Sequence, residues 1–193
     1  GPKGGGSAPG VHGAGATGNA ESAAFFQIEA RANTMVFVLD GSASMGLHGA
    51  WRHASAELVA CLRRLPPHVR FQILVYNSQC TPLLPRHPGW LSPSPELLEE
   101  IALVLALRVP EGKTEHGPAL RRALALRPDV VFYLTDADGL TAEHLRQATL
   151  FNQGRSAIHT VELTGAGGAR PGRPLQQLAR NNGGENRAWG KSP

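Results

Sequence analysis

The chain has 193 residues, with 19 Lys and Arg against 15 Asp and Glu for a net charge of +4, long enough for one α/β core with appendages. Its positive excess comes from arginines scattered along the chain, and no aromatic residues interleave with a basic stripe, which argues against a nucleic-acid reader. The two cysteines, Cys61 and Cys80, lack metal-ligand spacing, and the longest apolar stretch, 101–107, falls far short of the ~20 residues that cross a bilayer; a zinc module and a membrane span within this sequence are excluded.

Residues 1–24 are rich in Gly, Ala and Pro and have no apolar period, so they cannot bury enough surface to offset the entropy of ordering. They read as a flexible linker ahead of a domain spanning 25–193. The chain starts with Gly rather than Met, which reads as a fragment or a processed product. Residues 25–30 alternate weakly and predict a lead-in strand. The run 34–39 is continuously apolar, as a parallel strand covered on both faces should be. Trp51, Ala54, Leu58, Cys61, Leu62 and Leu65 then recur at helical spacing until Pro66 and Pro67 stop them. Cys61 falls on that apolar stripe, which favours a buried thiol over a disulfide with Cys80.

Val69, Phe71, Ile73 and Val75 define a second strand. Residues 81–84, among prolines, suit a short edge strand running back beside it. Ser94 followed by Pro95 marks a helix start, with Leu97, Leu98, Ile101, Val104 and Leu105 as its buried face. A further helix is predicted from Gly117-Pro118. The run 130–134 is again continuously apolar, Thr141 caps a helix to about Phe151, and 157–163 is another strand. A last helix over 174–182 closes on Gly183-Gly184, with a final short strand over 187–189. Strands alternating with helices predict a doubly wound, mostly parallel α/β fold with one short antiparallel edge strand.

Both central runs end in oxygen-bearing side chains. The first ends in Asp40-Gly41-Ser42-Ala43-Ser44, the second in Thr135-Asp136. In an open parallel sheet, ligands bind beyond the carboxyl ends of the strands where the connection order reverses. If these two strands flank that reversal, Asp40 and Asp136 enter one crevice, and Ser42 and Ser44 can aim both hydroxyls into it. Thr114, in the loop 111–118, is the candidate for a further ligand. Hard oxygens of this kind suit a hard divalent cation that keeps some water, as Mg²⁺ does.

The set Asp40-Gly-Ser42-Ala-Ser44, then Gly112-Lys-Thr114, then Leu134-Thr135-Asp136 resembles, in content and order, the metal-ion-dependent adhesion site of von Willebrand factor type A domains. The resemblance runs from about residue 33 to 189, includes Asn182-Gly183-Gly184, and is read as of the bacterial type. It implies a Rossmann-like sheet and a Mg²⁺ ion, with Mn²⁺ able to replace it. Ser42, Ser44 and Thr114 are then hydroxyl ligands, while Asp40 and Asp136 hold the ion directly or through water. It further implies recognition rather than catalysis, an acidic side chain of a protein partner completing the coordination. The sequence departs from the family where Ala137-Asp138 follows Asp136 in place of Gly. Asp138 reads as a turn residue with Gly139, with an extra carboxylate near the metal as the other reading.

Enzyme readings fare less well. Gly112-Lys113-Thr114 lacks the first glycine of a phosphate-binding loop, since Leu107 stands there. Ser42 occupies the glycine position of a nucleophile elbow. A Mg²⁺-dependent phosphotransferase or phosphatase with Asp40 as nucleophile is the stronger rival. It lacks the second aspartate that haloacid-dehalogenase-like enzymes carry, since Ser42 stands in its place. A domain that keeps the packing but leaves the metal site unused is the remaining alternative. His48, His53, His116, His144 and His159 are dispersed and read as ordinary surface or packed side chains. The Gly-rich lead-in suits a module tethered to a larger bacterial protein or behind an upstream membrane anchor.

Overall fold

Thr34–Asp40 (β3) and Val130–Thr135 (β6) pair side by side, in parallel, at the centre of a six-stranded sheet. The computed structural model describes residues 23–163 and 173–190. Arg70–Tyr76 (β4) extends the sheet beyond β3, and Cys80–Pro82 (β5) turns back antiparallel along its edge. Beyond β6 lie Ala157–Leu163 (β7) and Asn186–Trp189 (β8), both parallel, giving the order β5-β4-β3-β6-β7-β8. The chain therefore leaves β3 towards one edge and later returns to build the other, so the topological reversal lies between β3 and β6. The doubly wound, mostly parallel sheet with one antiparallel edge strand is as expected from the alternation of elements.

Side chains on one face of the sheet, among them Phe37, Ile73 and Phe132, pack under Ala50–Leu62 (α1) and Pro95–Leu107 (α2). Those on the other face, among them Val38, Leu74, Tyr76 and Tyr133, pack under His116–Ala125 (α3), Ala142–Asn152 (α4) and Arg173–Asn181 (α5). Each central strand is buried on both sides, which explains its unbroken apolar sequence. The predicted helix starts hold. Ser94 Oγ accepts from Leu97 N–H with Pro95 at the first helical position, and Thr141 forms a reciprocal capping box with His144.

Residues 25–30 are not a single strand. They belong to a hairpin of Ala23–Phe25 (β1) and Ile28–Ala30 (β2), turning at Phe26 and Gln27 with φ of 48° and 61°. Neither residue is a usual choice for left-handed backbone, and packing overrides that preference. Phe25 is fully buried, edge-on to Phe37 and Phe132 at 5.3 and 5.2 Å. β1 begins at Ala23, so Ala23 and Ala24 belong to the hairpin, and residues 1–22 of the expected linker lie outside the described residues. The α2 expectation is met in part. Ile101 and Leu105 are fully buried, whereas Leu97, Leu98 and Val104 are only half-covered. Cys61 and Cys80 are free thiols, their pKa values pushed up to about 12 and about 11 by burial.

Candidate metal centre

At the carboxyl end of β3 the chain must pass close beneath the end of β4. Gly41 N–H donates to the Tyr76 carbonyl at 2.7 Å, and a Cβ on Gly41 would stand 2.8 Å from Val75 Cγ1. Glycine at 41 is therefore a packing requirement. It lets the chain turn and present Ser42 and Ser44 over the strand end. Ala43–Gly49 follows as 3₁₀ turns interrupted by a kink at Leu47 and His48, whose backbone is not helical.

Asp40 forms the floor. It is fully buried, and its Oδ1 accepts from Ser42 N–H at 2.9 Å while its Oδ2 accepts from Thr135 Oγ1 at 2.6 Å. Burial raises its pKa above the usual carboxylate range, and hydrogen bonds from Ser42 and Thr135 oppose the shift; the charge of Asp136 adds to it. Ser42 and Ser44 Oγ lie 3.2 Å apart. Ser42 is buried, and Ser44, Thr114 and Asp136 are half-exposed. The buried Asp40 carboxylate thus lies beneath the serine turn at the strand end, with Ser44, Thr114 and Asp136 more exposed in the loops around it.

Thr114 comes from the connection between α2 and α3, which is stitched to the serine turn by two backbone hydrogen bonds. Ala43 N–H donates to Gly112 O at 3.1 Å, and Glu111 N–H to Gly41 O at 2.9 Å. Asn77, after β4, holds the same loop through its side-chain amide on Glu111 O, and its carbonyl accepts from Glu115 N–H, both at 3.0 Å. Lys113 is exposed, its backbone N–H directed to Ser78 Oγ. The loops that carry the five sequence-derived candidates thus converge on one end of the sheet. The turn reading of Asp138 also fits, since its N–H donates to Asp136 Oδ1 at 3.2 Å and its side chain lies in an exposed turn. Ala137 takes φ 63° there, a left-handed conformation that glycine would adopt more easily.

Two features escape a reading of the sequence alone. Thr135 is a brace for Asp40 and also accepts from Ala137 N–H at 3.0 Å, tying the β6 loop to the β3 end. His116 is a buried strut. Its Nε2 donates to the Asp138 carbonyl at 2.7 Å, while Nδ1 lies 2.7 Å from Tyr133 OH and 3.2 Å from Tyr76 OH. Burial, with the nearby Asp40 charge, pushes both tyrosine pKa values far up, so the phenols remain proton donors. His116 starts α3 just after Thr114 and so links the Thr114 loop to the Asp136 loop. Its position beside the Gly-Lys-Thr segment was the available signal, but its three partners are scattered over positions 76, 133 and 138. We expect His116→Phe to lower stability by about 1–3 kcal/mol by leaving the buried Tyr133 phenol and the partly buried Asp138 carbonyl without their partner. Urea denaturation measures this, and a variant as stable as wild type would mean that water replaces the lost bonds.

Among the described residues no group of three or more His, Cys, Asp or Glu side chains is placed to hold a metal. Any cation in this crevice must therefore rest on hydroxyls and the two carboxylates. The donor set fits such an ion: a Mg²⁺–O bond of about 2.1 Å puts neighbouring corners of an octahedron about 3 Å apart, close to the observed serine spacing.

A doubly wound α/β domain with an oxygen-lined crevice at the switch point is the class that fold and site define. The chain belongs to the von Willebrand factor type A domain family, which it matches over residues 33–187. Domains of this family commonly mediate protein–protein interactions and are typically not enzymes. Solved structures share the fold. A von Willebrand factor type A protein from Catenulispora acidiphila superposes with a TM-score of 0.70 at 16% identity, covering 84% of this chain and 40% of that one. The conserved hypothetical protein BatB from Bacteroides thetaiotaomicron gives 0.63 at 13% identity, covering 82% and 91%. Proximal thread matrix protein 1 from the mussel byssus, whose MIDAS motif is occupied by zinc, gives 0.61 at 12%, covering 82% and 44%. The chain thus spans less than half the length of the Catenulispora and byssus proteins. No curated protein sequence matches it.

Proposed function

We propose that the crevice is a metal-ion-dependent adhesion site and that the domain is a docking module of a larger bacterial protein, binding an acidic side chain of a partner through Mg²⁺, with Mn²⁺ able to substitute. Ser42, Ser44 and Thr114 supply hydroxyl oxygens, and Asp40 and Asp136 hold the ion directly or through water. The ion, when bound, supplies an electrophilic centre for a carboxylate. Few direct carboxylate bonds from the protein leave it short of negative charge and receptive to one from outside.

The observation that carries this reading is the pair of serine hydroxyls 3.2 Å apart above the buried Asp40 carboxylate. The same geometry weakens the phosphotransferase rival. An Asp40 nucleophile would need a free, accessible oxygen, yet both of its oxygens accept hydrogen bonds and none of the residue is exposed. Among the described residues no helix is long and apolar enough to cross a membrane; tethering to an upstream anchor stays part of the proposal.

Calorimetric titration with MnCl₂ tests the site. The expected result is one Mn²⁺ per chain, lost in Ser42→Ala and weakened in Thr114→Ala, with a glutamate-bearing peptide lowering the water-proton relaxation of the bound ion and a lysine-bearing peptide leaving it unchanged. Absence of binding to the folded wild type would leave the packing-only reading.

A further inference from the structure

We propose that the groove between α1 and α2 docks an acidic amphipathic helix of a protein partner, one with small and leucine side chains on one face and carboxylates along its edges. This groove begins next to the serine turn, at Met45 and Gly46, and the proposal does not rest on the metal reading.

From Ile101 to Leu107 α2 carries no charged side chain, yet only one side of it meets the core. Leu103 and Leu107, one turn apart, are 60% and 72% exposed. A helix with this pattern on a surface lacks its second cover, and an open cleft runs between it and α1. The cleft has a volume of about 900 Å³. Ala56 and Ala60 on α1 and Ala102 and Ala106 on α2 line it, each pair one turn apart. Small side chains at that spacing on both walls let a third helix approach the two closely.

Charge decides the kind of helix. Arg52, Arg63 and Arg108 line the groove and no acidic side chain does. None of the three forms an ion pair; the salt bridges among the described residues are Arg146–Glu143 and Arg187–Glu185. Three unpaired guanidiniums along an apolar cleft complement carboxylates flanking an apolar stripe. The recess favours a helix over a lipid surface, because a flat bilayer cannot reach alanines set between two helices.

The test uses an 18-residue fluorescein-labelled helical peptide with a Leu/Ala face and glutamates elsewhere, together with its lysine-for-glutamate counterpart. Anisotropy is read with the whole chain in EDTA, so that the metal reading can fail or succeed independently. The acidic peptide should bind saturably, one per chain, and the lysine peptide should not. The double variant Arg52→Glu/Arg63→Glu and the groove-filling Ala106→Phe should each weaken binding at least tenfold, with melting temperatures near that of wild type. Equal binding of both peptides, or unchanged affinity in both variants, overturns the proposal. So does stronger uptake by phosphatidylglycerol vesicles than by the peptide, or self-association in sedimentation that the arginine substitutions abolish; these outcomes assign the face to a membrane or to a second copy.

Discussion

Asp40→Asn is expected to raise the melting temperature in the presence of a chelator and to abolish the further rise that Mg²⁺ or Mn²⁺ produces in the wild type. The reason is the environment of the carboxylate. Asp40 is fully buried, has no cationic side-chain partner, and has Asp136 near it. A buried charge without a cation opposes folding. Asparagine keeps an oxygen for Ser42 N–H and turns the other contact around, its amide donating to Thr135 Oγ1. In chelator the gain should be about 2–4 °C, the equivalent of about 1 kcal/mol for a domain of this size. In the wild type, an ion at a hundredfold its dissociation constant adds about 2.7 kcal/mol, and that increment should vanish in the variant. Differential scanning calorimetry with and without metal separates the two effects. A variant less stable than wild type in chelator, or one that still responds to Mg²⁺, contradicts the account. In this reading the domain carries a destabilising charge for the sake of a binding function.

Among the glycines of the described residues, Gly184→Ala should be the most damaging replacement by alanine. The turn after α5 lies flat on the start of β7, with Gly184 N–H donating to Ala179 O at 2.9 Å and Asn182 O accepting from Ile158 N–H at 3.2 Å. A Cβ at 184 would overlap the Ile158 carbonyl and stand 2.9 Å from His159 N, all of it backbone held in the sheet. Nothing there can move aside without breaking the β7 pairing, so a loss of at least ~3 kcal/mol and a fall of roughly 6–12 °C in melting temperature are expected. The neighbouring Gly183 provides the control. It takes φ 66° with open space around its Cβ position, so Gly183→Ala carries only the left-handed backbone penalty of about 1 kcal/mol. Equal effects at the two positions would mean that the turn, and not the close approach to β7, is what glycine serves.

Much of the fold was legible because local signals and tertiary demands agree. The apolar runs before Asp40 and Asp136 announce strands buried on both faces. Ser94-Pro95, Thr141 and Gly183-Gly184 mark helix ends through chemistry contained within a few residues. The hairpin at the start of the domain was not legible, because Phe26 and Gln27 carry no turn signal. They turn there because Phe25 and Ile28, either side of the turn, are both drawn into the core. Nor was the half-covered state of α2. Its leucines have the same composition whether a neighbour covers them or not.

The sequence by itself determined the element order from β3 onward, the carboxylate and hydroxyl content of the two strand ends, and the glycines that the turns need, since each depends on residues a few positions apart. Tertiary structure alone decided how those groups work together. Thr135 reaches Asp40 across 95 positions of sequence, and His116 joins Tyr76, Tyr133 and Asp138. Both depend on β3 and β6 being neighbours at the reversal of the sheet. Strand order arises from packing across the whole domain, and no periodicity within a single segment encodes it.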